Sequence, residues 1–319
     1  MNPVTETFPT IPIERAGGLT PEVFQQRYLT GIGKPVIVTD ALTSWKALSH
    51  WSFDLLKERY GTEGVAPRLP SDSNYLKLMT LGNYLHYLDD PTLPSPGLWV
   101  DAETFHPLPA PTETPAAPLY LGWNVFARHP ELLEDVKLSP AFVEDLLPLL
   151  PAGLRKALDE ETRFFAAGVM IGPKNAQLGI HHDLMDTHAY LAQIIGRKRC
   201  VLFSPEDSGA LYNGKVNVDG PDFETFPLLR NATAYECILA PGELLFIPHH
   251  WWHHVVSLEK TITVNYNFFN RVNFSGYMTR FMRNLPTILE AVEGSPGSRA
   301  AMGIPWTCRG FDFPGSGSV

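Results

Sequence analysis

Histidines concentrate in two short segments of this 319-residue chain. Seven of its eleven histidines lie in residues 179–188 or in residues 248–254. In a β-strand, side chains two positions apart project from the same face, so His181 and Asp183 would point together while His182 points away. One imidazole and one carboxylate would then reach a common point, as the ligands of a metal ion do.

A third ligand would have to come from the second histidine segment. The candidates are His249, His250, His253 and His254. Two histidines and one carboxylate on one face of an octahedron leave three positions open, which is the arrangement used by non-haem Fe(II) oxygenases. A catalytic zinc ion with three protein ligands and one water is compatible with the same residue types. The histidines that we expect to support the ligands or to lie on the surface are His182, His188, His249 and His250.

The segment that carries both histidine groups predicts a β-sandwich or a β-barrel. Between residues 163 and 270, short apolar runs are bounded by Gly, Pro, Asn and Asp. These runs cover residues 189–195, 199–203, 236–239, 243–247 and 261–269. Gly196-Arg197 and Pro241-Gly242 predict tight turns between neighbouring antiparallel strands.

The last of these runs alternates between polar and apolar side chains. Its polar face contains Thr261, Thr263, Asn265 and Asn267. If the apolar face packs against an outer layer, the polar face lines the barrel and needs a polar ligand there; the reverse orientation, with the polar face in solvent, fits the same alternation. Lys198 poses a similar choice. Near the interior its ammonium group would need an anion such as a dicarboxylic cosubstrate, whereas at a solvated turn it would need none.

The N-terminal third of the chain predicts a scaffold for the barrel. Thr20-Pro21-Glu22 has the residues of a helix start, and residues 35–38 predict a strand. Residues 89–118 contain eight prolines, which exclude a continuous helix or a central strand because proline lacks the backbone N–H. This segment is therefore predicted to be a long ordered loop, an insertion or a lid.

Apolar spacing predicts helices on the flanks of the barrel. They cover residues 120–136, 141–158 and 277–292. Pro286 should kink or split the last of them. Its apolar face either covers the barrel or forms a homodimer contact. The tail, residues 309–319, is rich in Gly and Ser and is expected to fray.

Composition narrows the range of partners. A net charge of -9 and a pI near 5.6 disfavour nucleic acid, whose binding sites are built from clustered Lys and Arg. The chain has no run of 18 apolar residues and no signal-peptide pattern, so we expect no membrane association and a cytoplasmic location. The three cysteines are expected to be reduced core residues and not ligands or disulfides; they are Cys200, Cys237 and Cys308.

Two parts of the sequence resemble the JmjC and cupin-8 hydroxylases, which include the asparaginyl hydroxylases that act on hypoxia-inducible factor. The first is Thr187–Pro205, preceded by His181-His-Asp183, and the second is Pro241–His254 with Ile262-Thr-Val-Asn265. The resemblance runs from residue 120 to residue 269 in order and with fitting spacing. It implies a mainly β fold, a double-stranded β-helix or jelly-roll cupin barrel of eight strands with flanking N- and C-terminal helices. It also implies an Fe(II)- and 2-oxoglutarate-dependent dioxygenase.

The same resemblance implies roles for individual residues. The iron ligands would be His181, Asp183 and His253. Lys198 matches the lysine that pairs with the distal carboxylate of 2-oxoglutarate, and further cosubstrate contacts are implied for Tyr120, Asn265 and Thr187. Many relatives carry Thr or Ser three residues before the first histidine ligand. Leu178 stands there in this chain, so one hydrogen bond to the cosubstrate is either missing or supplied by Gln177.

The resemblance further implies a division of the chain and a reaction. Residues 1–119 would be a scaffold packed on the barrel, residues 120–275 the catalytic core, and residues 276–319 a C-terminal helix and a flexible tail. The enzyme would use O2 to hydroxylate an unactivated C–H bond in a small-molecule or peptide substrate: a peptidyl side chain, an amino acid or a natural-product intermediate.

Two alternatives to the hydroxylase remain open. One is a cupin-like metal-binding protein without oxygenase activity. It is disfavoured because a degenerate relative would tolerate loss of the ligands and of the anchoring lysine, and here all are intact. The other is a JmjC-type demethylase, which needs the same iron site. We rank it lower because no zinc-finger cysteine array and no basic patch accompany the motifs.

Overall fold

The computed structural model describes residues 7–70, 74–93, 95–102, 104–111, 118–151, 167–183, 186–280 and 282–283. Within these ranges the chain is mainly β, with fifteen strands, four complete α-helices and the start of a fifth at residues 274–280. The complete α-helices are α1 (Pro21–Tyr28), α2 (Ala47–His50), α3 (Phe53–Tyr60) and α4 (Leu81–Tyr87).

The described strands fall into an N-terminal and a C-terminal set. The N-terminal strands are β1 (Thr10–Pro12), β2 (Glu14–Ala16), β3 (Val36–Val38), β4 (Gly64–Val65), β5 (Tyr75–Thr80), β6 (Leu98–Asp101) and β7 (Leu121–Trp123). The C-terminal strands are β8 (Ala167–Gly172), β9 (Gln177–His181), β10 (His188–Ile195), β11 (Lys198–Phe203), β12 (Ala234–Leu239), β13 (Leu244–Ile247), β14 (Trp252–Ser257) and β15 (Thr261–Phe268).

Most of these strands form two sheets that enclose the barrel interior. One sheet has the order β1-β12-β11-β14-β9, and the other has the order β2-β3-β13-β10-β15-β8-β7. A buried apolar cluster between them takes side chains from both sheets, among them Ile37, Leu245 and Ile247 from the larger and Cys200, Leu202 and Leu239 from the smaller. The expected jelly-roll barrel is confirmed.

Strand β15 is buried on both of its faces. Its apolar residues, such as Ile262 and Phe268, belong to a large core that is shared with the N-terminal helices. Thr261 and Thr263, on the other face, are fully buried as well. The hydroxyl oxygen of Thr261 lies 2.9 Å from that of Ser257, which belongs to β14 in the opposite sheet. The polar face of β15 therefore lines the barrel interior, as the first of the two predicted orientations requires.

The N-terminal residues add strands to both sheets. β1 runs parallel to β12, and β3 pairs with β13 and with β2. The predicted helix start is confirmed, because the Thr20 hydroxyl accepts a hydrogen bond from the Val23 N–H and caps α1. In the proline-rich segment, β6 is the edge of a separate sheet with the order β4-β5-β6, a position that tolerates nearby prolines. A role of this segment as a lid stays a prediction.

The two predicted tight turns connect opposite sheets, so the prediction that they join neighbouring antiparallel strands is wrong. Gly196 lies between β10 and β11, and Gly242 lies between β12 and β13; in both cases the two strands belong to different sheets. Gly196 has a φ of +71°, and a Cβ there would lie 2.2 Å from the carbonyl oxygen of Lys260. Such turn residues indicate the local backbone conformation, and they do not determine to which sheet the next strand belongs.

The α-helices predicted over residues 120–136 and 141–158 are not found in the described residues. The chain there forms short 3-10 helices at Pro130–Asp135 and Leu147–Leu149. Pro130 and Pro148 lie within these two ranges, and each removes a backbone donor that a continuous α-helix needs. Residues 152–158 lie outside the described part of the chain.

The C-terminal helix is described only at its start. Residues 274–280 are helical, while most of the predicted helix and the whole tail lie outside the described residues. The dimer contact therefore stays a prediction. None of the described helices is both long enough and apolar enough to cross a bilayer.

The two described cysteines are buried free thiols, as predicted. Cys200 on β11 and Cys237 on β12 are directly opposite each other in the antiparallel pair. The hydrogen bond to Cys200, followed by burial, raises the pKa of the Cys237 thiol, so it stays protonated. Cys308 lies outside the described residues.

Candidate metal centre

His181, Asp183 and His253 converge at one point. β9 and β14 are antiparallel neighbours, and their register places His253 directly opposite His181. The two ring centroids are 4.2 Å apart, and one nitrogen or oxygen from each of the three residues lies within 4.8 Å of the others. In the part of the chain that the structure describes, this is the one group of three such side chains that could hold a metal ion.

Hydrogen bonds to the backbone set the orientation of both imidazoles. His181 Nδ1 donates to the Gly179 carbonyl oxygen over 2.8 Å, and His253 Nδ1 donates to that of Trp251 over 3.1 Å. Because a carbonyl oxygen only accepts, Nδ1 carries the proton in each ring and Nε2 keeps its lone pair. His253 Nε2 is 3.7 Å from Oδ1 of Asp183. The centre thus presents two imidazole nitrogens and one carboxylate oxygen.

The surroundings favour the neutral form of His181. Loss of contact with water, followed by the proximity of His253, lowers the pKa of His181. A neutral imidazole is the form that binds a metal ion. Two imidazoles and one carboxylate match the ligand set of non-haem Fe(II), and a three-ligand zinc site would use the same atoms. The residues present therefore fit a divalent metal ion.

His254, the neighbour of His253, points to the other side of β14. Its Nε2 lies 2.9 Å from Oδ2 of Asp219, and its Nδ1 lies 3.1 Å from the carbonyl oxygen of Leu178. Both ring nitrogens are therefore engaged away from the centre, so the distal ligand atom comes from His253. The first of these bonds is the main cause of the lowered pKa of Asp219. No sequence signal pointed to Asp219, which is 35 residues away from its histidine.

The other histidines of the two segments do not join the metal centre. The ring of His182 meets the edge of Trp252 with centroids 4.7 Å apart. His188 Nδ1 accepts the backbone N–H of His249 over 3.0 Å. His250 adopts a left-handed backbone conformation with a φ of +65°. None of these rings belongs to the three-residue group found in the described residues; that they support the ligands stays a prediction.

Lys198 is buried, with 1% of its surface exposed. Its Nζ donates to the Tyr120 hydroxyl over 2.7 Å and lies 5.2 Å from the centre of that ring. Burial lowers the pKa of Lys198 to about 7, and no carboxylate of the described residues is paired with it. The prediction of a solvated turn lysine is thereby excluded. Because a buried cation without a counter-charge is costly, this pocket fits an anionic ligand.

Two further predicted residues, Thr187 and Asn265, contact the side chain that bonds to Asp183. Asn267 Nδ2 donates to Oδ2 of Asp183 over 2.9 Å and to the Thr187 hydroxyl over 3.2 Å. Asn265 Nδ2 donates in turn to Oδ1 of Asn267 over 2.9 Å. The structure thus links Thr187 and Asn265 to the metal centre through Asn267, and their contact with a cosubstrate stays a prediction. Asn267 was placed on the correct face by the alternation of β15, but nothing in the sequence singled it out.

A β-bulge in β9 decides where Leu178 and Gln177 point. His253 pairs with His181 and Val255 pairs with Leu178, so β9 holds one extra residue between these two pairs. Leu178 therefore shares the interior face with His253, and Gln177 lies on the opposite face. Gln177 is not placed to supply the hydrogen bond that a Thr or Ser at the position of Leu178 would make. The alternative in which this hydrogen bond is missing is the one that the register supports.

Comparison with known proteins places these features in a family context. Residues 106–274, more than half of the chain, match the cupin-like domain family. The chain is 28% identical over 281 residues to the lysine-specific demethylase JMJ21 of Arabidopsis thaliana, and the alignment covers 82% of this chain and 26% of that protein. It is 29% identical over 260 residues to the lysine-specific demethylase 8 of Xenopus tropicalis, and the alignment covers 77% of this chain and 50% of that protein.

A third relative is similar over a shorter stretch. The chain is 38% identical over 138 residues to the tRNA wybutosine-synthesizing protein 5 of Homo sapiens, and the alignment covers 41% of this chain and 43% of that protein. The chain therefore spans only a quarter to a half of the length of these relatives.

Proposed function

Because the chain belongs to the cupin-like domain family, we propose that it is an Fe(II)- and 2-oxoglutarate-dependent oxygenase that hydroxylates an unactivated C–H bond. One observation carries this proposal: the same barrel offers a metal centre and an anion pocket. His181, Asp183 and His253 present three ligand atoms within 4.8 Å. Lys198 is buried and faces only a neutral hydroxyl among the described residues.

Each of these residues has a defined task in the proposed reaction. The metal ligands would hold Fe(II) by two imidazole nitrogens and one carboxylate oxygen, leaving three positions open. Lys198 and Tyr120 would bind the far carboxylate of 2-oxoglutarate and so orient the cosubstrate. Iron, 2-oxoglutarate and O2, when bound, would supply the oxidising power, with succinate and carbon dioxide as coproducts. The two sheets would exclude bulk water from the pocket.

The buried lysine separates this proposal from its main competitor. A cupin-like protein that only binds a metal has no use for a desolvated ammonium group, which lowers the stability of the folded chain. In an enzyme that binds a dicarboxylate, the attraction between the ammonium group and the bound carboxylate offsets this loss of stability. The same reasoning favours iron over zinc here, since a hydrolytic zinc site has no need of a dicarboxylic cosubstrate.

The proposed substrates are a peptidyl side chain, an amino acid or a natural-product intermediate. Demethylation is the second candidate, because the similarity to the lysine-specific demethylase JMJ21 extends over 82% of this chain. Hydroxylation of an N-methyl group begins with the same C–H chemistry. A nucleic-acid substrate is disfavoured by the net charge of -9, although one relative is named for its part in tRNA modification.

Succinate release can distinguish these substrate classes. We expect protein supplied with Fe(II) and 2-oxoglutarate in air to release more succinate with one class among amino acids, unmodified peptides, methyl-lysine peptides and tRNA. Formaldehyde release with the methylated peptides would identify the demethylase, and stimulation by tRNA would overturn the prediction against nucleic acid. The matched control is Asp183→Ala, which should give no stimulation. If the wild-type protein releases no more succinate than this control, either with any of these substrates or without one, the proposed activity is wrong.

The affinity for 2-oxoglutarate is expected to fall as the pH rises above about 7. Lys198 binds a carboxylate only when protonated, and its pKa is about 7 in the structure. A bound anion raises this pKa, so binding takes up a proton above pH 7 and weakens by up to about tenfold per pH unit there, while it changes little below. Calorimetry on the Mn(II)-loaded protein between about pH 6 and 9 measures this dependence. Lys198→Arg keeps its charge throughout and should lack the fall; a flat wild-type profile would contradict the role of Lys198.

A further inference from the structure

Asp183 lies beyond the end of a strand, so the sheet does not fix its carboxylate. β9 ends at His181, two residues earlier. The side chain that holds the carboxylate comes from the opposite sheet: Nδ2 of Asn267, on β15, donates to Oδ2 of Asp183 over 2.9 Å. Asn267 is 5% exposed. This bond ties the sheet that carries Asn267 to the ligand group of the other sheet.

The orientation of the Asn267 amide follows from the chemistry of its neighbours. The Asp183 carboxylate only accepts hydrogen bonds, so it must face the amide nitrogen of Asn267. The oxygen of the amide is then turned toward Asn265, whose Nδ2 donates to it over 2.9 Å. The Thr187 hydroxyl accepts a second bond from Asn267 Nδ2 over 3.2 Å. The side chain is held at both ends, and a rotation of its amide would place an oxygen against the carboxylate.

The two oxygens of Asp183 are thereby made unequal. Oδ2 is engaged by Asn267, whereas Oδ1 is the oxygen that lies 3.7 Å from Nε2 of His253. We propose that Asn267 is a positioning residue, which holds Asp183 so that only Oδ1 is presented to the metal ion, and that Asn265 fixes Asn267 in this orientation. This inference rests on the metal centre of the proposed function and adds to it the residue pair that determines how its carboxylate ligand binds.

Asn265 keeps donor and acceptor groups that this bond does not use. Its Nδ2 donates one of its two hydrogens to Asn267, and its Oδ1 is buried without a partner among the described residues. The second N–H of Nδ2 can still donate to a carboxylate, whereas the oxygen can only accept. The bond to Asn267 therefore leaves the predicted contact of Asn265 with a bound dicarboxylate open.

Binding of Co(II), which needs neither oxygen nor cosubstrate, tests this role. Asn267→Leu keeps the approximate shape of the side chain and removes its donor. We expect it to weaken Co(II) binding by about 10- to 100-fold, the usual effect of losing a partner that orients a metal ligand. The visible absorption of bound Co(II) should also change, because Oδ2 becomes free to coordinate. Asn267→Ala, which introduces no clash, should behave in the same way.

The matched control is Thr263→Val, on the same face of the same strand. It removes a buried hydrogen bond, from the Thr263 hydroxyl to Oε1 of Gln193, without touching Asp183. We expect it to leave Co(II) affinity and spectrum unchanged, with metal-free thermal midpoints that fall by similar amounts in Thr263→Val and in Asn267→Leu. Wild-type affinity and spectrum in both Asn267 variants, or an equal loss of affinity in Thr263→Val, would overturn the positioning role alone. If the wild-type protein binds no Co(II), the metal centre itself is wrong and the inference falls with it.

Discussion

Replacing His181, Asp183 or His253 by alanine is expected to abolish iron-dependent turnover while leaving the fold largely intact. The three side chains supply ligand atoms within 4.8 Å of one another, and the two that remain after any replacement cannot hold Fe(II) well. Each replacement removes one side chain from a group of closely spaced polar atoms, so no large loss of folding stability is expected. Iron content after anaerobic loading and succinate release in air measure the effect, and circular dichroism checks the fold.

His254→Ala is the matched control for these three variants. It removes an imidazole that is adjacent in sequence to His253 and bonds to Asp219 and Leu178 on the other side of β14. We expect this variant to retain iron and most of its activity. If the loss of His254 removes iron while His253→Ala retains it, the assignment of the distal ligand is wrong.

Lys198→Ala is expected to raise the concentration of 2-oxoglutarate required, with Fe(II) binding near normal. A charge-assisted hydrogen bond to a carboxylate contributes about 1.5 to 3 kcal/mol, which corresponds to a loss of affinity of roughly 10- to 100-fold. The metal should be unaffected because Lys198 bonds to Tyr120 and to none of the three ligands. Calorimetric titration of 2-oxoglutarate into the Mn(II)-loaded protein measures the change.

Tyr120→Phe provides the matched control for the anion pocket. It keeps the aromatic ring, which lies 5.2 Å from Nζ of Lys198, and removes only the hydroxyl. The loss of affinity should be smaller than in Lys198→Ala, because one neutral hydrogen bond contributes about 0.5 to 1.5 kcal/mol. An unchanged affinity in Lys198→Ala would refute the anchoring role of the lysine.

Local spacing was enough to predict two of the three metal ligands. His181 and Asp183 are two residues apart, a spacing that predicts a shared face of one strand; in the structure β9 ends at His181, and Asp183, two residues past its end, still reaches the same point. The third ligand comes from another strand, and the spacing left four histidines open. The resemblance to known hydroxylases selected His253, and the register of β14 against β9 explains why this residue and not His254 faces the centre.

Contacts between distant strands could not be predicted from spacing. The bond between Lys198 and Tyr120 joins residues 78 positions apart, and the bond between Asn267 and Asp183 joins residues 84 positions apart. Both depend on how the strands are distributed between the two sheets. The turn residues at Gly196 did not reveal this distribution, since the same turn can close a hairpin or cross from one sheet to the other. The β-bulge in β9, which places Leu178 on the interior face, could not be predicted from the spacing for the same reason.

Anaerobic titration of the protein with Fe(II) and 2-oxoglutarate tests the central claim most directly, because it needs no knowledge of the substrate. Chelation of iron by the keto and carboxylate oxygens should produce a weak visible charge-transfer band, and Asp183→Ala should remove it. Admission of air should then yield slow succinate formation in the wild-type protein. A wild-type protein that binds Fe(II) but shows neither the band nor succinate would contradict the oxygenase assignment and leave only a metal-binding barrel.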